Sequence, residues 1–189
     1  DGSRDDTFEV ARGRGVYALR HTINRGQGAA LQTGISFALR EGADFIVTFD
    51  ADGQHLASEL DQLLAPVAAG QCDVALGNRF LSGTSNVPAM RKAVLHLARL
   101  FTFLTTGIRV GDCHNGYRVL SRGAASAIYL KQDRMAHASE IYDQILRAKL
   151  RFLEVPVTIR YSDETLAKGQ RLSNSLSVLF QYLFGKITQ

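Results

Sequence analysis

Apolar residues recur along this chain in two rhythms, short β-rich runs and longer helical faces. Residues 15–21 (G-V-Y-A-L-R-H) read as a short strand. Residues 26–41 follow as a helix, with Ala30, Leu31, Ile35, Ala38 and Leu39 near helical spacing. Residues 44–49 (D-F-I-V-T-F) are a compact run of β-formers that stops at the stretch Asp50-Ala51-Asp52-Gly53-Gln54-His55. That pattern predicts a buried strand whose C-terminal end opens into a loop. Residues 58–69 are helical in pattern, Gly70 and Gln71 break it, and residues 73–76 give another apolar strand before Gly77-Asn78-Arg79. Strand and helix alternating in this way predict an α/β fold with a parallel or mixed sheet covered on both faces.

The second half changes character. Residues 88–106 predict a long, apolar-heavy amphipathic helix, residues 107–116 are turn-rich, and residues 122–130 and 139–150 read as helices. Residues 152–161 (F-L-E-V-P-V-T-I-R-Y) read as a strand, with Pro156 marking an edge or a bulge. Residues 162–175 are polar and expected to be mobile, and residues 176–187 predict a closing amphipathic helix. With 189 residues, 46% of them hydrophobic, the chain can bury one substantial core, so a single domain over 1–189 is expected.

Composition narrows the classes. Cys72 and Cys113 stand apart without C-x-x-C spacing, which argues against a zinc site or a disulfide framework and for a reducing, cytoplasmic setting. No apolar run reaches about eighteen residues and the first six positions are polar, so neither a membrane span nor a signal peptide is visible. The net charge of +4 is unevenly spread: Arg91, Lys92, Arg99, Arg109, Arg118 and Arg122 face the single acid Asp112 between positions 90 and 122. Such an excess attracts phosphates or an anionic membrane surface. No aromatic-basic pattern accompanies it, so nucleic acid is not an expected partner. The sequence carries no signal for oligomeric state.

The sharpest chemical feature is Asp50-Ala51-Asp52. Residues two apart in an extended segment project to one side, and two carboxylates that close repel unless a divalent cation lies between them. Hard oxygens favour Mg²⁺ or Mn²⁺, with Gln54 able to add another oxygen. The position adds weight, because open α/β sheets bind ligands beyond the carboxyl ends of their strands.

Six blocks occur in order: D-G-S-R-D-D-T at 1–7, N-R-G-Q-G-A-A-L-Q-T-G at 24–34, F-D-A-D-G-Q-H at 49–55, G-N-R-F at 77–80, D-C-H-N-G-Y-R at 112–118 and E-V-P-V at 154–157. Together they resemble family 2 glycosyltransferases, with most likeness to the dolichol- and polyprenyl-phosphate sugar transferases. The resemblance implies a GT-A, Rossmann-like α/β fold with a mixed, mainly parallel sheet flanked by helices. That family begins with a hydrophobic strand before the D-D-G-S type motif, and this chain starts inside the motif at Asp1, so the first strand is expected to be missing.

By the same resemblance, Asp1 corresponds to the acid near the nucleoside, and Asn24, Gly26 and Gly28 belong to the loop beside base and ribose. Asp50, Asp52 and Gln54 correspond to the metal and diphosphate site. Arg79, Arg91 and Arg118 resemble basic residues that face substrate phosphates, and Lys168 lies on the family's C-terminal loop. Asp52, Asp112 and Arg91 are the expected catalytic set. Asp112 either takes a proton from an acceptor hydroxyl or orients an arginine or sugar hydroxyls, while His55 and His114 read as polar loop residues. The implied activity is inverting transfer from a GDP-mannose or UDP-glucose type donor to a polyprenyl or dolichyl phosphate, on Mg²⁺ or Mn²⁺, at the cytoplasmic face of a membrane as a peripheral protein. Transfer to a sugar hydroxyl, nucleotidyl transfer and non-catalytic nucleotide-sugar binding are the competing readings.

Overall fold

The computed structural model describes residues 1–134 and 136–161, without the side chains of Ala89, Arg91, Phe101 and Thr105. The mobile segment and helix expected over 162–187, with Lys168, lie outside the described residues. Among the described residues, four strands form one sheet: β1 (Phe45–Thr48), β2 (Val74–Asn78), β3 (Arg118–Ser121) and β4 (Phe152–Pro156), in the spatial order β1-β3-β2-β4. Among the described residues, seven α-helices accompany them: α1 (Thr7–Arg12), α2 (Gln27–Arg40), α3 (Leu60–Ala68), α4 (Arg79–Ser82), α5 (Ala89–Thr106), α6 (Arg122–Ala127) and α7 (His137–Arg147).

The sheet is mixed, but less parallel than expected. β3 pairs antiparallel with both β1 and β2, and only β2 and β4 are parallel neighbours. It follows that β1, β2 and β4 share one direction and β3 alone opposes them. The ladder aligns Arg118 with Thr48 on one side and Leu76 on the other.

Period-two alternation explains how both faces become cores. Ile46, Val74, Leu76 and Leu120 project to one side and pack with Ile35 of α2, Ala124 and Ala125 of α6, and Ile141, Tyr142 and Ile145 of α7. Ala75, Val119 and Val157 project to the other and pack with Leu63 and Val67 of α3 and with Tyr117. β2, with helices over both faces, is buried along its whole length. Full burial of each Leu, Ile or Val contributes about 1.5–3 kcal/mol, which makes these two layers the main cohesive element.

Elsewhere the elements depart from the sequence reading for identifiable reasons. Residues 15–21 form no strand: Val16, Tyr17 and Leu19 are exposed, and in place of a ladder the Gly2 N–H donates to the His21 carbonyl at 3.0 Å. The helix beginning at Arg122 ends at Ala127 because Ile128 turns extended. The last strand stops at Pro156, which lies on the edge strand β4, where a missing N–H is tolerated. No described helix is long and apolar enough to cross a membrane.

Candidate active site

The C-terminal ends of β1 and β2 and the beginning of the opposed β3 come together at one rim of the sheet, and Asp50, Asp52, Arg79, Asp112 and Arg118, singled out from the sequence, lie along it. β1 ends at Thr48, whose hydroxyl donates to the Gly116 carbonyl at 2.5 Å. The chain then turns through 51–54, with Gly53 at φ 79°. Asp50 and Asp52 are therefore arranged by a turn and not by strand alternation.

Asp50 Oδ1 accepts from Gln27 Nε2 at 3.1 Å, at the start of α2. Its Oδ2 lies against Gly116, where a Cβ would overlap the carboxylate. Asp52 Oδ1 accepts the Gln54 amide at 3.0 Å, and its other oxygen and the Gln54 side chain form no hydrogen bond among the described residues. Among the described residues, neither carboxylate forms a salt bridge. No group of three or more His, Cys, Asp or Glu side chains gathers there either. An all-oxygen set of two unpaired carboxylates and one amide fits Mg²⁺ or Mn²⁺, cations that commonly complete their shell with water and phosphate oxygens.

Beside this loop stands His55, read from the sequence as a polar loop residue but buried in the structure, with 8% of its surface exposed. Its ring stacks on Tyr117 with centroids 5.0 Å apart, and Phe49 meets both rings edge-on. Burial lowers the His55 pKa, against the opposing fields of Asp50 and Asp52.

Asp1 closes a second loop. Its carboxylate accepts the Arg25 and Gly26 amides at 2.9 and 2.7 Å and bonds His21 Nδ1 at 2.8 Å, while Asn24 Nδ2 donates to the Asp1 carbonyl at 3.3 Å. Gly26 takes φ 113°, and a Cβ on Gly28 would overlap the Gln132 carbonyl. Both glycines thus permit a close backbone approach that side chains would block. Asp1, Asn24 and Gly26 are accordingly brought together ahead of α2, whose first residue reaches Asp50 and whose second is Gly28.

Two buried arginines complete the rim. Arg79, 5% exposed, donates from Nε to Asp112 Oδ2 at 2.5 Å, from Nη1 to the Tyr161 hydroxyl at 2.6 Å and from Nη2 to the His114 carbonyl at 3.0 Å. Asp112 Oδ2 also takes the Arg79 amide and Asn115 Nδ2, whereas the buried Oδ1 has no partner among the described residues. Glu154 braces the same corner through Asn78 Nδ2 and the Gly111 amide at 2.8 and 2.7 Å.

Arg118, 2% exposed, is paired with no carboxylate among the described residues. Its Nε has no hydrogen bond, and the guanidinium carbon lies 5.6 Å from the centre of the Tyr142 ring. Burial pushes the Tyr142 hydroxyl up to about 12. His114 and His137 both lie below the ordinary imidazole range, burial being the leading cause in each.

Arg91 lies in the first turn of α5 and its side chain is not described. Gln27, His55, Gly116 and Tyr142 were not picked out as site residues from the sequence. Gln27 and Gly116 touch Asp50 across chain separations that no local pattern reveals, while His55 holds it from within the same loop. Tyr142 carried no signal beyond its place on the buried stripe of a helix.

Comparison with known proteins agrees with this geometry. The family model described as glycosyl transferase family 2 matches residues 1–129. An uncharacterised Methanocaldococcus jannaschii protein is 35% identical over 99% of this chain and 79% of its own length. The UDP-N-acetylglucosamine–dolichyl-phosphate N-acetylglucosaminyltransferase of Methanococcus voltae is 27% identical over 99% of this chain and 83% of its own. Polyprenol monophosphomannose synthase of Mycolicibacterium smegmatis is 32% identical over 84% of this chain and 63% of its own.

Among solved structures, glucosyl-3-phosphoglycerate synthase of Mycobacterium tuberculosis, in complex with Mn²⁺ and UDP-glucose, superposes with a TM-score of 0.63 at 16% identity. The match covers 97% of this chain and 64% of that one, and at this identity it shows the fold. The ordered motifs, the GT-A-like sheet and the family match together place this chain in glycosyltransferase family 2.

Proposed function

We propose that this chain transfers a sugar, with inversion, from a nucleotide-sugar of the GDP-mannose or UDP-glucose type to a polyprenyl or dolichyl phosphate. The observation that carries the reading is a pattern of uncompensated charge. Among the described residues, two carboxylates that no basic side chain pairs, Asp50 and Asp52, and a buried arginine that no carboxylate pairs, Arg118, sit at one rim of the sheet. A diphosphate accompanied by a divalent metal supplies both missing partners. Asp50, Asp52 and Gln54 would hold Mg²⁺ or Mn²⁺, and the bound cation would offset the charge that develops on the departing diphosphate.

The chain's own residues do the rest. Asp1, Asn24, Gly26 and Gly28 form a tight loop for the nucleoside. Arg118 faces phosphate oxygens, and the family resemblance assigns Arg91 and Lys168 to the same groups. Preorganised donors in a water-poor site stabilise developing negative charge without reorganising. A phosphomonoester acceptor has its second pKa near about 6, so it attacks as a dianion at neutral pH without a general base. Asp112 fits that chemistry as the residue that orients Arg79, since its Oδ2 is taken up by three donors.

The acceptor places the reaction at a membrane surface, and the relatives named for dolichyl-phosphate and polyprenol substrates support that class. α5 offers a surface for peripheral binding at the cytoplasmic face. Met90, Leu97, Leu100 and Leu104 are exposed along one side, Lys92 and Arg99 are exposed beside them, and the helix contains no acid. An apolar stripe beside cations suits an anionic lipid interface.

A panel of nucleotide-sugars with Mg²⁺ or Mn²⁺ and a short polyprenyl phosphate, with and without chelator, tests donor, acceptor and metal together. Transfer that persists in chelator removes the metal site. A second reading, transfer to a sugar hydroxyl, is favoured by the unpartnered Asp112 Oδ1, which has lone pairs left for a hydroxyl proton. Asp112→Asn abolishes turnover with nucleotide binding intact under that reading, and costs far less with a phosphate acceptor.

A further inference from the structure

His55 closes the carboxylate loop. The Asp50 amide lies 3.2 Å from its Nδ1. An amide N–H only donates, so Nδ1 carries the lone pair and the proton of the neutral ring resides on Nε2. The ring is held by stacking on Tyr117, and the Tyr117 hydroxyl donates to the Leu56 carbonyl at 3.3 Å, one residue beyond His55.

The backbone on either side is tied down as well. His55 forms an isolated antiparallel bridge with Ile159, and the Gln54 carbonyl accepts the Arg160 amide at 3.0 Å. The adjoining Tyr161 hydroxyl takes a bond from Arg79. One imidazole therefore stands where the Asp50–Gln54 turn meets the segment that braces Arg79.

We infer that His55 is a positioning residue: its Nδ1 fixes the Asp50 amide, so the Asp50–Asp52 turn is set before any ligand arrives and is locked in register with the Arg79 corner. The value of such a preset turn for catalysis rests on the proposed function; the clasp itself does not. A buried histidine that only fills space tolerates a ring of similar size, whereas a clasp tolerates any side chain with an acceptor at the same place.

Two substitutions separate these cases. His55→Phe keeps an aromatic ring to stack on Tyr117 and removes the acceptor. His55→Asn loses the ring but sets Oδ1, bonded to Cγ as Nδ1 is, where the acceptor was. In the metal-free full chain, amide exchange at Asp50, relative to the core amide of Val119, is expected to accelerate at least about fivefold in His55→Phe and to stay near wild type in His55→Asn. Equal exchange in wild type and His55→Phe overturns the inference, as does equal acceleration in both variants.

The wild-type protein gives a check that needs no variant to fold. Nitrogen shifts of the His55 ring are expected to show the Nε2–H tautomer, and a proton on Nδ1 overturns the clasp. In the transfer assay, His55→Phe is expected to raise the Mn²⁺ concentration needed for half-maximal rate several-fold, with recovery in His55→Asn. If both variants match wild type there, the positioning role is overturned while the proposed function stands. If exchange and tautomer come out as expected but wild type takes up no metal or donor, the clasp stands and the functional reading falls.

Discussion

Arg79 and Arg118 are buried to nearly the same degree at the same rim of the sheet, yet the protein treats them in opposite ways. Arg79 is met by a carboxylate, a phenol and a carbonyl, so its charge is compensated within the fold. Arg118 is met by the face of Tyr142 and keeps an unsatisfied Nε, and no carboxylate pairs with it among the described residues. Burying a charge without its counter-charge costs folding free energy. Where a protein compensates its own charge it builds structure; where it leaves charge uncompensated beside two unpaired carboxylates, it leaves room for a ligand.

The largest effect expected from breaking this contrast is on stability. Asp112→Ala strands the Arg79 charge and should cost about 3–5 kcal/mol in denaturant unfolding. The double replacement Arg79→Met with Asp112→Leu should recover most of that loss. The same experiment at the other arginine should come out reversed. Arg118→Met is expected to leave stability within about 1 kcal/mol, the cation–π contact offsetting the relief of an unpaired charge. Calorimetric affinity for a nucleoside diphosphate with Mn²⁺ should nevertheless fall about tenfold to a hundredfold, as for loss of a charged hydrogen bond.

Gly116→Ala sharpens the contrast from the carboxylate side. Its Cβ would occupy the place of Asp50 Oδ2, so an unfolding penalty of about 1–2 kcal/mol and weaker Mn²⁺ uptake are expected together.

The smallest effect is on pH dependence. Burial holds His114 and His137 below their ordinary pKa in the folded state. Unfolded, both protonate near about 6.5. The unfolded chain therefore binds more protons once pH drops below that value, and stability falls from there towards the folded pKa values. Thermal melts should be flat between pH 7 and 8 and decline below about 6.5, with His137→Gln and His114→Gln each flattening part of the decline.

What the sequence revealed follows the same division. α2, β1, α3, β2 and α5 were legible because apolar spacing or compact β-rich runs mark them directly. β3 was not: it is four residues long, opens with an arginine, and owes its burial to pairing on both sides. Residues 15–21 misled in the opposite sense, since their apolar side chains face outward. In the site, Asp50 and Asp52 were legible because they are nearly adjacent. The pairing of Arg79 with Asp112 spans 33 residues and arises only when β2 and β3 come side by side. His55 looked like a loop residue because its burial is supplied by Phe49 and by Tyr117, which comes from a different part of the chain.

β3 opposes its neighbours, so it presents its opening residue at the rim where β1 and β2 present their closing ones. Arg118 is thus mounted between two ladders, aligned with Thr48 and Leu76, and cannot slide without disrupting pairing on both flanks. Such a mount gives the guanidinium almost no freedom to follow ligands of different length. Under the proposed function, any tolerance for donors that differ in base or sugar has to come from the turns around it, while the point proposed to face phosphate stays fixed.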